Sequence, residues 1–448
     1  MPRRCASLSV VVVFALASTI GCGDNELPPL REVTWYGEVG AIVRTKCAGC
    51  HYPGGIAPFS LADYGDAYEE TGRMIKAIDD GIMPPWYSQE SDECTPRHGW
   101  QNDARLSAAE REAIHEWVAA GAPAGTERAL PPIRSTSIDD PTHIVTPTQE
   151  FISSGTRDQF VCFLYDPGIT ATSWITASQV YPTAVDLVHH INVYVVGPNT
   201  VPDALALTGG LGVAKVGCDH PPGVAIQSWL PGNPALLLPP NVGIPVGPGT
   251  HVLLQVHYHP AGVGGPDATS IAWRLTETRP EWRFDLGVYG NSPGAPNLQP
   301  GPGDLEDGTP VFVIPAFATD HTERMLMTHR IDQKPLRILS VTPHMHLLGT
   351  HQRVTLSHLD GTSECMIDSR WDFDWQRSYT YDAALEELPV FDAASTVDLT
   401  CRWDNSFTNP ELPRLLEDTG RAAPYDVSLG FTTADEMCLA DFGMLSRN

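Results

Sequence analysis

The chain has 448 residues, of which 42% are hydrophobic and only 18% are charged, with 39 glycines and 40 prolines. This composition is typical of a loop-rich, mainly β protein with a substantial core, and the length favours about three domains. The 28 basic and 54 acidic side chains give a formal net charge of −26. So acidic a chain is not expected to bind nucleic acid or anionic lipid surfaces.

Residues 1–22 have the pattern of an export signal, because two arginines precede an apolar run too short for a membrane-spanning helix. Two cleavage sites are open. Ala15–Ala17 suits ordinary signal peptidase, whereas Thr19–Cys22 resembles a bacterial lipobox and would place a lipid on Cys22. We favour the second, with residues 23–32 as a tether. We therefore expect an exported bacterial protein, periplasmic or lipid-anchored to the outer membrane, in a compartment that permits disulfides.

The segment Cys47-Ala48-Gly49-Cys50-His51 carries the attachment pattern of a c-type haem. The thiols of Cys47 and Cys50 would bond covalently to the haem, and His51 would bind its iron. A redox dithiol or half of a zinc site is the plainer interpretation, but an exported chain favours haem. Met83 and His98 compete as the second axial ligand of the iron. We favour Met83, because methionine–histidine ligation suits electron transfer.

A helix is predicted at the end of the segment that contains this motif. Ser107 and Glu110 form a capping box, an apolar stripe follows, and Gly121 ends the pattern. We therefore predict a small all-α cytochrome c domain over residues 33–125. The Pro- and Thr-rich stretch at 126–148 is interpreted as a linker.

From residue 149 onward, short apolar or alternating runs are separated by Gly/Pro clusters, which is typical of β-sandwiches. Two of these runs carry histidines, His189-His190 and His257 with His259. Side chains of neighbouring strand residues point to opposite faces of the sheet. His189 and His190 can therefore bind one metal ion only if the strand twists or one imidazole turns back through its other nitrogen. The plainer alternative to a metal site is that one histidine of the pair lies on the surface and the other in the core. With His257, the pair would form a copper or zinc site, and we leave His259 outside it.

Further along the chain comes a His-x-His motif, His344-Met345-His346. On a strand, residues two apart point to the same face, so both imidazoles can reach one metal ion. Imidazole without thiolate suits copper or zinc.

Four motifs stand in a fixed order along the chain: His189-His190, Gln255–Tyr258, His344–His346 and Asp435–Cys438. Together they resemble the copper type II, ascorbate-dependent monooxygenases, the family that includes peptidylglycine α-hydroxylating and dopamine β-hydroxylating enzymes. The resemblance implies two jelly-roll-like β-sandwich domains, residues 149–282 and 283–448, with a copper ion on each.

The resemblance also implies the role of each ligand set. An electron-transfer copper would be held by His189, His190 and His257, and the catalytic copper that binds dioxygen by His344, His346 and Met437. A thioether stabilises Cu(I), the form that reacts with dioxygen. A lone methionine is more often a core residue, but the place of Met437 within the Asp435–Cys438 motif favours a ligand.

The same resemblance implies two disulfides, Cys401–Cys438 and Cys162–Cys218. Cys94 and Cys365 are left over, and the sequence leaves open whether they pair or stay free.

Departures from the family concern the substrate. Thr342 stands where the peptide-amidating branch has an arginine that binds the substrate carboxylate. Leu439 and Asp441 stand where that branch has an asparagine and a tyrosine. A peptide with a C-terminal glycine is therefore not the expected substrate.

We expect a copper-dependent monooxygenase that hydroxylates an activated C–H bond of a small molecule with O2. Its cofactors would be two copper ions and one covalently bound c-type haem. Electrons would come from an ascorbate-like reductant or a redox partner protein. The fused c-type haem is a candidate carrier of these electrons. Two alternatives stay open: a copper/haem electron-transfer or copper-binding lipoprotein without oxygenase activity, and a structural surface lipoprotein with ordinary core histidines.

Overall fold

The computed structural model describes residues 33–448 except 54, 134–136, 219, 232, 260–261, 292–296, 303, 305–306 and 330–333. The predicted export signal, the lipidation site at Cys22 and the tether at 23–32 lie outside the described residues. None of the helices in the described part of the chain has the length and apolar character needed to cross a membrane.

The helices begin with a π-helical segment, Trp35–Val39, that runs directly into the first α-helix. The α-helices are α1 (Gly40–Lys46), α2 (Tyr64–Glu69), α3 (Thr71–Asp79), α4 (Ala108–Ala119), α5 (Val201–Thr208) and α6 (Leu412–Thr419). The predicted capping box starts α4: Ser107 Oγ accepts from the Glu110 backbone N–H (3.2 Å), and the Glu110 carboxylate accepts from the Ser107 N–H (2.8 Å).

Helices α1 to α4 share a hydrophobic cluster of their own. At its centre the rings of Trp35 and Trp117, both fully buried, lie with centroids 5.6 Å apart. Four α-helices lie in this part of the chain, but the prediction that it is all-α is wrong, because Ser88–Gln89 form a short strand that pairs with the β-sheets. Its assignment as a cytochrome c domain stays a prediction.

The strands of the first half are β1 (Ser88–Gln89), β2 (His143–Val145), β3 (Phe151–Ser153), β4 (Gln159–Tyr165), β5 (Ser173–Tyr181), β6 (Val188–Val196), β7 (Lys215–Val216), β8 (Val224–Trp229), β9 (Leu236–Leu237), β10 (Val242–Val246), β11 (His251–Tyr258), β12 (Gly265–Asp267), β13 (Ser270–Thr276) and β14 (Trp282–Gly290).

The strands of the second half are β15 (Val313–Ile314), β16 (His321–Thr328), β17 (Leu336–His344), β18 (Gly349–Ser357), β19 (Ser363–Arg370), β20 (Tyr379–Thr380), β21 (Val390–Phe391), β22 (Thr396–Trp403), β23 (Val427–Ser428) and β24 (Leu439–Arg447). The mainly β class predicted from composition is confirmed.

Three large sheets contain most of these strands, and β12-β3 and β15-β23 form two further two-stranded sheets. The central sheet has the order β2-β13-β5-β10-β14-β24-β17-β20, with β9 and β21 attached to it. The N-terminal outer sheet is β7-β4-β11-β6-β8, and the C-terminal outer sheet is β1-β19-β18-β22-β16. Apolar residues of all three sheets form one hydrophobic cluster, so the outer sheets pack against the central sheet as β-sandwiches.

The two halves of the chain share the central sheet. Strand β14, which begins at the predicted domain boundary, pairs in parallel with β10 and antiparallel with β24. Main-chain hydrogen bonds therefore hold the halves in a fixed arrangement, which matters because the histidine motifs are divided between them.

The helical segment is also joined to the β-sheets. Strand β1 pairs with β19, and a disulfide links Cys94 to Cys365. Disulfides also join Cys162 to Cys218 and Cys401 to Cys438, the two pairs that the resemblance implies. Three disulfides indicate folding in an oxidising compartment.

Candidate metal centre

A β-bulge brings the adjacent histidines His189 and His190 to one place. His190 lies opposite His257 on β11, but the next pair in the ladder is Val188 with Tyr258. His189 is therefore the extra residue of a bulge, and bulges commonly turn a side chain toward a functional site. This resolves the difficulty that regular strand alternation raises for the pair.

The three Nδ1 atoms of His189, His190 and His257 converge. The Nδ1 of His190 lies 3.2 Å from that of His189 and 3.4 Å from that of His257. Among the described residues these three histidines form a group whose ligand atoms lie within 4.8 Å of one another, as a metal ion requires. Burial, followed by the neighbouring histidines, holds the pKa values of His189 and His190 well below the usual range. Both rings are therefore neutral at pH 7 and can serve as ligands.

Asp158 fixes the ring of His257, and sequence reasoning missed it. Its carboxylate accepts from His257 Nε2 at 2.7 Å and from the Thr433 hydroxyl at 2.7 Å. Burial raises the pKa of Asp158, but these hydrogen bonds outweigh it and lower the pKa overall. With its proton on Nε2, His257 offers the Nδ1 lone pair, an arrangement common among metal-binding histidines. No local motif identifies Asp158, because the pairing of β4 with β11 brings it near His257.

The His-x-His motif does not lie within one strand, as the sequence suggests. Strand β17 ends at His344, and His346 lies beyond it. The strand ends there because the N–H groups of His346 and Leu348 donate to the Glu436 carboxylate (3.0 and 2.7 Å) instead of to a neighbouring strand. The two imidazoles nevertheless come together, with ring centroids 5.4 Å apart.

These two rings use their nitrogens differently from the first set. Their Nδ1 atoms form hydrogen bonds. That of His344 donates to Gln376 Oε1 (2.9 Å), and that of His346 donates to the Asp435 carbonyl (3.0 Å). Nε2 is therefore the nitrogen left for a metal ion. Burial lowers the pKa of His344 to about 4 and that of His346 to about 3, so both are neutral at pH 7.

Glu436 joins the His346 segment to Met437. Its carboxylate is fully buried and also accepts from the Trp403 indole N–H (2.9 Å) and the Met437 backbone N–H (3.2 Å). Burial raises its pKa to about 7 against the lowering effect of these donors. One carboxylate thus holds the backbones of both His346 and Met437, and Met437 itself is buried.

The two histidine sets are neighbours. The ring of His190 lies 6.3 Å from that of His344, centroid to centroid. The Gln376 amide lies between the sets, with its nitrogen 3.3 Å from His189 Nε2 and its oxygen on His344. Phe373 stacks on His189 with centroids 4.3 Å apart. The ring of His259 lies 5.7 Å from that of His189, but its nitrogens lie near the Asp186 carbonyl (3.2 Å) and the Arg414 guanidinium (3.3 Å). Its exclusion from the ligand set stays a prediction.

The donor atoms fit a metal ion. Three convergent imidazole nitrogens, those of His189, His190 and His257, suit copper or zinc.

The haem attachment motif opens into a cavity of about 590 Å³, lined by Cys47, Cys50, His51 and Met83. His51 Nδ1 lies 3.1 Å from the Phe59 carbonyl, which leaves Nε2 for an iron ligand. Of the eight cysteines in the described part of the chain, Cys47 and Cys50 are the two outside disulfides. Free thiols beside a histidine and a large cavity fit a c-type haem.

The two candidates for the second axial ligand, Met83 and His98, differ in whether they line this cavity. Met83 lines the cavity, whereas His98 lies within 2.9 Å of the Glu387 carbonyl and is not part of the lining. Met74, which was not among the predicted ligands, is buried and also lines the cavity.

The same cavity extends to the β-sheets, where Thr342 and Asp441 line it as cross-strand partners. The Ser228 hydroxyl donates to Asp441 Oδ2 (3.1 Å), and burial raises the pKa of Asp441 to about 6. Leu439, the third departure from the family pattern, pairs with His344.

The sequence matches no protein-family model and no curated protein sequence. Among solved structures, the major capsid protein P2 of bacteriophage PM2 is 11% identical, with 68% of this chain and 98% of that chain covered and a TM-score of 0.28. The VP2 subviral particle of infectious bursal disease virus is 11% identical over 69% and 73% of the chains, with a TM-score of 0.17. Dimeric latent PorU from Porphyromonas gingivalis is 8% identical over 66% and 25%, with a TM-score of 0.16. Likenesses this distant carry no argument about function.

Proposed function

We propose that this chain is a copper-dependent monooxygenase that hydroxylates an activated C–H bond of a small organic substrate with O2. The observation that carries the proposal is the meeting of two different histidine sets, one converging through Nδ1 and the other leaving Nε2 free, with rings 6.3 Å apart. Bound copper would supply one-electron redox chemistry and the binding of dioxygen.

His189, His190 and His257 would hold the copper that relays electrons. Asp158 keeps the proton of His257 on Nε2, and the bulge keeps both adjacent histidines on one side of the sheet. The low pKa values of His189 and His190 mean that a metal ion does not have to displace protons from them at pH 7.

His344, His346 and Met437 would hold the catalytic copper. Gln376 and the Asp435 carbonyl orient the two rings, and Glu436 fixes the backbone on both sides of the set. Thr342, two residues before His344, places no basic group where the peptide-amidating branch has its arginine, so a substrate carboxylate would not be bound there.

The fused segment would hold a c-type haem through Cys47, Cys50 and His51, with Met83 as the second axial ligand. The haem would pass electrons from a redox partner or an ascorbate-like reductant to the copper sites. Two jelly-roll-like domains preceded by a cytochrome c domain, exported to the periplasm and anchored through a lipid on Cys22, complete the proposal.

Oxygen incorporation tests the activity. Mature protein loaded with copper and haem is supplied with ascorbate, isotopically labelled O2 and small molecules that carry benzylic C–H bonds. We expect a labelled alcohol from wild type and none from His344→Ala. His251→Ala is the matched control, because His251 bonds to its own turn at Gly249. Oxygen uptake that yields no labelled product with any such compound favours the electron-transfer lipoprotein instead.

A further inference from the structure

One short segment, Phe373 to Arg377, lies between the haem cavity and the two histidine sets. Trp375 and Arg377 line the cavity, whereas Phe373 and Gln376 contact the histidines. The segment follows β19 and leads into β20 of the central sheet. No sequence motif singles it out.

Trp375 makes the contact with the helical segment. Its indole N–H donates to the Pro85 carbonyl at 3.1 Å, two residues after Met83, and its ring lines the cavity together with Met83 and Cys50. A large aromatic ring is thus held against the part of the chain that would bind the haem iron.

Gln376, the next residue, contacts the histidine sets. Its side chain is buried, its amide oxygen accepts from His344 Nδ1, and its amide nitrogen donates to the Phe373 carbonyl (3.2 Å) beside His189. A single residue therefore contacts both histidine sets, and one peptide unit separates it from Trp375.

Arg377 lines the cavity, and no acceptor group pairs with it among the residues that the structure describes. Its guanidinium lies 5.0 Å from the Trp86 ring, and among the described residues it forms no hydrogen bond or ion pair. Burial lowers its pKa, which means that the charge is held at a cost. An unpaired guanidinium of this kind suits a carboxylate, and haem carries two.

We propose, on the basis of the proposed function, that Trp375 and Gln376 form the route for electrons from the haem to the histidine sets, with Arg377 binding a haem carboxylate. Each transfer would move one electron from ferrous haem held by Cys47, Cys50 and His51 to a cupric ion held by His189, His190 and His257, so that the iron would be oxidised and the copper reduced. No bond forms or breaks and no proton has to move. Gln376 acts as a positioning residue for His344, and Trp375 would provide the contact with the haem.

The test measures the transfer itself in the mature full-length protein carrying haem and copper. A photosensitiser with a sacrificial electron donor reduces the haem upon a light flash. Haem reoxidation is then followed by absorbance, and the Cu(II) signal by electron paramagnetic resonance. We expect Trp375→Phe to slow haem reoxidation at least about tenfold with unchanged haem and copper contents. Gln376→Leu is expected to slow it as well, together with weaker copper binding at His344, because it removes the acceptor of His344 Nδ1. Arg377→Leu is expected to shift the haem reduction potential.

Trp371→Phe is the matched control. Trp371 lies in the same loop, and its indole N–H likewise donates to a carbonyl, that of His346 (2.8 Å), but it does not line the haem cavity. Its variant is expected to transfer electrons within about twofold of wild type. Equal slowing in both tryptophan variants would mean general loop distortion and would overturn the inference.

The outcomes separate the inference from the proposed function. Full haem and copper contents with an unchanged transfer rate in Trp375→Phe overturn the inference alone. A mature chain that takes up no haem overturns the inference together with the haem part of the proposed function.

Discussion

The imidazoles of His190 and His344 lie 6.3 Å apart, centroid to centroid, at an angle of 82°. His190 belongs to the N-terminal outer sheet and His344 ends a strand of the central sheet. Strand β14 joins the two halves by main-chain hydrogen bonds, so this approach is part of the fold. The two candidate metal sites therefore form one partly buried centre lined by histidines.

Replacing Asp158 by Asn should weaken copper binding at the first histidine set. The variant loses the charged acceptor that keeps the His257 proton on Nε2, and such partners typically change metal affinity by about 10- to 100-fold. Competition titration with a copper chelator measures the effect. Asp166→Asn, an exposed aspartate that caps its own turn, is the control. Equal affinities in wild type and Asp158→Asn would remove Asp158 from the site.

Replacing Glu436 by Gln should loosen the second set and destabilise the fold. Four N–H groups donate to this buried carboxylate, and an amide would turn an N–H toward some of them. Each buried donor left unpaired costs about 1–3 kcal/mol. We expect a lower unfolding temperature in calorimetry and loss of the copper held by His346. The exposed Glu417→Gln provides a baseline, and a similar small effect in both variants would contradict this account.

Asp441 should make stability fall as the pH rises. The unfolded chain releases this proton near 3.8, whereas the folded chain keeps it to about 6. Between these values the folded state binds more protons, so the free energy of unfolding decreases. At about 1.4 kcal/mol per pKa unit the loss is at most about 3 kcal/mol. Urea unfolding at several pH values should show wild type losing this much relative to Asp441→Asn. Parallel pH profiles would rule the effect out.

Removing the disulfide between Cys94 and Cys365 should release the helical segment. It closes a loop with a sequence separation of 271 and links that segment to β19. The double Cys→Ser variant is expected to lose about 2–5 kcal/mol. Limited proteolysis should then cut first between residues 101 and 130. Unaltered cleavage kinetics would show that strand pairing alone holds the segment.

Much of the fold can be predicted from local patterns. Apolar runs such as Phe160–Tyr165 and Ile191–Val196 do lie in strands, and the capping box at Ser107 starts a helix. These succeed because the side-chain period and the cap chemistry are local properties of the sequence.

The site depends on features that no local pattern contains. The bulge at His189 arises from register with β11, and Asp158, Gln376 and Glu436 reach the histidines only through tertiary packing. The end of β17 at His344 likewise depends on a carboxylate far along the chain. Spacing therefore identifies the candidate ligands but not the residues that orient them.

Copper and haem contents of the mature protein test the central claim most directly. Metal analysis with haem absorbance should give about two copper ions and one haem per chain, and His190→Ala and His344→Ala should each lose about one copper. Wild-type protein free of copper after loading, or variants that retain both ions, would contradict the proposed centre.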